Sequence, residues 1–106
     1  MKLLPGENLP HQLRHELPGH DFYTVAFMDW AGIESGELLR RAAAGGFDGL
    51  VTKNAGVQYE QNLANLPLAV VILHVPSNDI DDVRSLIPAL LQALTALLPK
   101  SITHVP

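Results

Sequence analysis

The chain has 106 residues, of which 47% are hydrophobic and 6% aromatic, enough for one aliphatic core spanning residues 1–106 as a single domain and unlike a disordered chain. Eleven carboxylates against seven Lys and Arg give a net charge of −4; this argues against a broad cationic face for nucleic acid, but not against a nuclease, whose own catalytic carboxylates lower the count. With no cysteine, a disulfide framework and a thiolate metal site are both excluded.

Lys2–Leu4 reads as a first strand. A helix from about Pro10 to Leu17 follows, with Pro10 in its first turn and Leu9, Leu13 and Leu17 as the buried stripe. Pro18-Gly19 stops it. Phe22–Val25 is a second strand, and residues 26–35, holding the only Trp, form a loop. A second helix runs from about Gly36 to Ala44 and ends at Gly45-Gly46. Gly49–Thr52 is a third strand, and Val57–Asn65 a short helix.

Leu68–Leu73 is continuous and rich in β-branched residues, as a strand covered on both faces should be. A long apolar helix begins after Ser77-Asn78-Asp79, with Asp79, Asp81 and Asp82 at its positive end. Pro88 lies inside its pattern and should kink or divide it. Ile102–Val105 is a last strand. This alternation is that of an α/β fold with a mostly parallel sheet of four to five strands flanked by helices. The last helix is apolar over much of its circumference, which suits deep packing or a shared surface in a homodimer.

No signal-peptide core opens the chain. The longest apolar stretch, Leu86 to Leu98, is broken by Pro88, Gln92 and Thr95 and is too short to span a bilayer. A cytoplasmic protein without membrane attachment is expected.

In a parallel sheet the ligand crevice lies beyond the carboxyl ends of the strands. Two polar clusters stand there: Gly6-Glu7-Asn8 after the first strand, and Thr52-Lys53-Asn54 after the third. A metal-dependent phosphodiesterase needs several carboxylates at such a place. This chain offers Glu7, and Glu37 near the start of a helix.

Leu3-Leu4-Pro5-Gly6-Glu7-Asn8-Leu9-Pro10 resembles the opening of small PIN-like proteins, which read apolar-apolar-x-Asp-Glu-Asn-Leu-Pro. Pro18-Gly19-His20-Asp21, Trp30-Ala31-Gly32, Gly36-Glu37-Leu38-Leu39 and Phe47-Asp48-Gly49-Leu50-Val51-Thr52-Lys53-Asn54 resemble later pieces of that family, in order, as do Gln61-Asn62-Leu63 and Leu68–Leu73. The resemblance implies a three-layer PIN-like domain related to Mg²⁺- or Mn²⁺-dependent ribonucleases, many of them toxins paired with antitoxins. It implies Glu7 and Glu37 as catalytic groups and, with Asn54, as metal ligands. Thr52, Lys53 and Asn8 would hold the substrate. Such metals prefer hard oxygen ligands and activate a water for in-line displacement.

The chain departs from the pattern where charge matters most. The family's first Asp falls on Gly6 and its later Asp on Asn54; Ala55, Gly56 and Val57 supply no replacement, and the nearest carboxylate is Glu60. The expectation is a weakly held or absent metal, with weak or no RNA cleavage. The alternative is a catalytically inactive module that binds an antitoxin-like protein or itself.

Several of these residues also have ordinary roles. Glu37 suits a helix dipole, Asn54 an Asx turn before Ala55-Gly56, and Lys53 a solvated strand end. Glu34 is a lesser substitute ligand. His11 and His15 share a helix face but lack a third ligand at a telling distance. Met28 and Trp30 suit packing over the sheet. A phosphoacceptor domain is excluded by Asn54, which cannot form an acyl phosphate, and no Gly-rich phosphate loop follows any strand.

Overall fold

The computed structural model describes residues 1–6, 9–54, 56, 66–76 and 79–105. Five strands form one sheet: β1 (Lys2–Pro5), β2 (Asp21–Phe22), β3 (Gly49–Thr52), β4 (Ala69–Leu73) and β5 (Ile102–Val105). Their order is β2-β1-β3-β4-β5 and every pair is parallel. The expected mostly parallel sheet is therefore parallel throughout. No helix of the described residues is long and apolar enough to cross a membrane.

The period-2 alternation of a strand sends consecutive residues to opposite faces, and here both faces are apolar. Leu4, Leu50, Val70 and Ile72 join one core with Leu38, Leu39 and Ala42 of α1 (Ser35–Ala44). Leu3, Val51, Val71, Leu73 and Val105 join a second core. That core also takes Leu9, Leu13 and Leu17, and Val83, Leu90 and Leu94 from α2 (Ile80–Arg84) and α3 (Ile87–Thr95). The result is three layers, with α1 on one side of the sheet. An exposed ion pair, Arg84 Nε to Glu16 Oε1 at 2.9 Å, links the two segments that share the other side.

The connections have opposite hands. The β1–β2 segment crosses the second core's face while stepping outward to one edge. The β4–β5 segment crosses the same face while stepping toward the other edge. Connections on one face that step in opposite directions are mirror-related, so one of them departs from the right-handed rule. The strand order is that of flavodoxin-like sheets, but an all-right-handed version would place α2 and α3 beside α1. This chain does not.

Several elements differ from the sequence expectation for identifiable reasons. The helix expected over Pro10–Leu17 is a 3-10 helix, His11–His15. Pro10 stays extended (φ −67, ψ 142) and supplies no side-chain cap, and Pro18 ends the segment too soon for an α-helical nucleus to propagate. The strand expected over Phe22–Val25 is Asp21–Phe22. Tyr23 N still donates to Leu3 O at 3.1 Å, but Thr24 then turns the chain: its carbonyl accepts from Met28 N at 3.0 Å and its hydroxyl from Phe27 N at 3.0 Å.

The long apolar helix is divided, with Ser85 and Leu86 between α2 and α3 and Pro88 in the first turn of α3. There its missing N–H costs nothing. Asp79 caps α2, its Oδ1 accepting from Asp81 N at 3.0 Å. The helix expected over Val57–Asn65 lies outside the described residues.

The amino end of the sheet is closed by Lys2. Its backbone N donates to Asp48 Oδ2 and its Nζ to Gly45 O, each at 2.8 Å. The ammonium lies 4.6 Å from the centre of the Phe47 ring and 5.3 Å from that of Tyr23. Such cation–π contacts add to the hydrogen bonds. Trp30 and Met28 pack on the α1 side of the core, with the Trp30 ring 5.9 Å from Phe47. That is packing over the sheet.

Candidate functional site

Strand order brings the two expected polar clusters together. β1 and β3 are neighbours, with Pro5 opposite Val51, and Gly6 N donates to Val51 O at 2.8 Å. Pairing thus continues one step past the strand and sets Gly6 beside Thr52. The chain steps from β1 to one side and later returns to the other, so this is the switch point at which α/β sheets place ligands. Glu7 and Asn8 follow Gly6 directly but lie outside the described residues, as do Ala55 and Glu60.

Thr52 is the buried polar residue of this end, 7% exposed. Its Oγ1 accepts from Asn54 N at 3.1 Å, and Asn54 Oδ1 in turn accepts from Gly56 N at 3.0 Å. The second bond is the Asx turn the sequence suggests. Both oxygens are thereby engaged with backbone donors. The Thr52 hydroxyl keeps its hydrogen to give, and Asn54 keeps its amide N–H donors. Half-buried Lys53 lies between them in the chain. This rim presents donors and one cation, an arrangement suited to anionic oxygen.

In a parallel β-α-β unit the helix runs antiparallel to the strands, so the first turn of α1 returns to the same end as Gly6 and Asn54. Glu34 caps that turn, Oε1 accepting from Glu37 N at 2.8 Å. Glu37 faces two cations: its Oε2 accepts from Arg40 Nη2 at 2.9 Å and its Oε1 from Arg41 Nε at 3.1 Å. Those hydrogen bonds, from Arg40 first and Arg41 second, hold its carboxyl below the usual carboxylate range. The pairs are surface-exposed and follow helical i,i+3 and i,i+4 spacing. Glu37 is thus ionised but already neutralised by its neighbours.

A divalent magnesium-type cation wants several anionic oxygens free to converge. Among the described residues no three His, Asp or Glu side chains form such a group. Thr52 and Asn54 are neutral and locally bonded, and Glu37 is shared by two arginines. The described residues do not by themselves fit the metal, and no chemical step is derived through one.

A cavity of about 160 Å³ adjoins Gly6 on its β2 side. Pro5, Leu9, Leu13, Phe22 and Val25 give it an apolar lining, to which Arg14 and Thr24 add polar groups. Sequence reasoning missed this pair. A single Arg on a short helix carries no signal, and Thr24 becomes a lining residue only because the chain turns there. His15 is exposed, its Nε2 accepting from Arg14 Nε at 3.3 Å.

No family model, curated protein or solved structure matches this chain.

Proposed function

We propose that the chain is a PIN-like domain related to Mg²⁺- or Mn²⁺-dependent ribonucleases, toxin components of toxin–antitoxin pairs, with a depleted acidic site and weak activity. The observation that supports it best is the junction of β1 and β3. There Gly6 stands beside Thr52, whose hydroxyl accepts from Asn54 N, and Gly6 and Asn54 are the positions at which the resembling nucleases carry aspartates. Glu7 is the remaining acid of that junction in sequence, and Asn8, Thr52 and Lys53 are the groups that would hold an RNA phosphate. A cytoplasmic location and self-association belong to the same proposal.

A second reading is a catalytically inactive interaction module, binding an antitoxin-like protein or a second copy. It is favoured by Glu37, whose two oxygens are both taken by arginines.

Incubating the chain with a mixed-sequence RNA across a Mn²⁺ titration separates the two. Metal-dependent cleavage that vanishes in Glu7→Ala supports the nuclease. Absence of cleavage at every metal concentration, with cleavage appearing in Gly6→Asp/Asn54→Asp, supports the inactive module on the same fold. Absence in both chains overturns the PIN-like reading.

A further inference from the structure

Two imidazoles meet on the far side of the sheet. His74 follows β4 directly, and its backbone N donates to Val105 O at 2.8 Å, continuing the β4–β5 pairing. His104 lies on β5 opposite Ile72. The two side chains therefore share the sheet face of Ile72 and stand diagonally across neighbouring strands, both exposed. His74 Nε2 lies 2.7 Å from His104 Nδ1.

The rings are 5.0 Å apart centre to centre and inclined by 21°. A ring nitrogen lies about 1.15 Å from the centre of an imidazole. The centres and the two nitrogens are then nearly collinear, and the rings approach edge-on rather than face to face. An in-plane approach points each nitrogen's donor or lone pair at the other. One nitrogen carries the proton and the other accepts it. Transfer of that proton to the other nitrogen of its own ring, a change of tautomer, leaves two lone pairs aimed at one region.

We propose that His74 and His104 form a binding site for a borderline divalent transition metal of the zinc class, one ion per chain, with water in its remaining positions. Imidazole nitrogen suits Zn²⁺, Cu²⁺ and Ni²⁺, not Mg²⁺. Nitrogens held at about 2.0–2.1 Å by one tetrahedral ion lie roughly 3.3 Å apart. Each exposed ring therefore pivots by a few tenths of an ångström as the ion takes the place of the shared proton, which moves through solvent to the other nitrogen of the donor ring, so that both rings stay neutral. With two protein ligands the ion exchanges readily, and it ties edge strand β5 to β4. The site is independent of the β1–β3 junction and of the function proposed above.

The test is titration of the metal-free full chain with ZnCl₂, followed by calorimetry and thermal unfolding. One Zn²⁺ per chain and a raised Tm are expected. Either His74→Gln or His104→Gln should weaken binding by about tenfold or more, whereas His15→Gln binds as the native chain does. Excess Mg²⁺ should not compete. In the native chain the imidazole resonances of His74 and His104 should shift together on addition of Zn²⁺, a readout that needs no variant. Native-like Zn²⁺ affinity in either glutamine variant, separate responses of the two rings, or no binding at millimolar Zn²⁺ would reduce the pair to a hydrogen bond and overturn the proposal.

Discussion

A side-chain carbon placed on Gly6 would lie 3.1 Å from the Thr52 hydroxyl oxygen. The position without a side chain and the buried hydroxyl are thus fitted to one another. Thr52 occupies the margin that a larger residue at position 6 would need. Placing an acid there asks a buried neighbour to move by a few tenths of an ångström.

The double variant Gly6→Asp/Asn54→Asp should bind Mn²⁺ at least about tenfold more tightly than the native chain, because two carboxylates are added at the β1–β3 junction. Crowding against Thr52 should cost about 1 kcal/mol of stability in Gly6→Asp. Calorimetry reads the first effect and urea unfolding the second.

Thr52→Val keeps the shape but removes the acceptor for Asn54 N. A buried or half-buried donor left without its partner costs about 1–2 kcal/mol. The urea midpoint should fall accordingly, with unchanged slope, and the amide of Asn54 should exchange faster with solvent. Thr52→Ser should lose less than half as much.

Leu90 is fully buried between α3 and the sheet. Leu90→Ala should destabilise the fold by about 3 kcal/mol, combining lost transfer energy with a residual cavity. Leu98 is 68% exposed, and Leu98→Ala should stay within about 0.5 kcal/mol. Equal effects at both positions would mean that α3 is not seated as described.

His20 gives the fold a pH dependence of definite sign. Its pKa is lowered from the ordinary histidine value, first by burial and then by the nearby charged amino terminus, with Asp21 opposing. Its Nδ1 is buried with no hydrogen-bond partner among the described residues. The unfolded chain therefore takes up the proton more readily than the folded one. The contribution to stability is present above the unfolded value of about 6.5 and is lost as pH falls through it. Urea unfolding between pH 8 and pH 5 should show this decline, and His20→Gln should flatten it.

Where a run was continuous and bounded by Gly or Pro, its strand could be read from the sequence alone. Gly49–Thr52 and Ile102–Val105 agree to the residue, and the strand read from Leu68 begins one residue later, at Ala69. The caps were equally legible: Asp79 and Asn54 act through bonds to residues two positions away. The 3-10 helix was not, because Leu9, Leu13 and Leu17 are buried alike by one short turn entered from an extended Pro10. Nor does alternation of strands and helices say which face a connection crosses, so the opposite-handed crossovers carried no signal. At the site, adjacency of Gly6 and Thr52 followed from strand order. Arg14 and Thr24 at one cavity, and His74 against His104 across 30 residues of chain, depend on turns and register that no local pattern encodes.

Lys2 has a mechanical effect at the opposite end of its strand. Held by Asp48 and Gly45 and seated against two aromatic rings, it pins β1 against sliding along its neighbours, since a slip of one residue would invert every side chain between the two cores. Gly6 is four residues away on that same short, straight span. Sliding of β1 is thereby closed off as a way of reshaping the β1–β3 mouth, where the strand serves as a fixed rail.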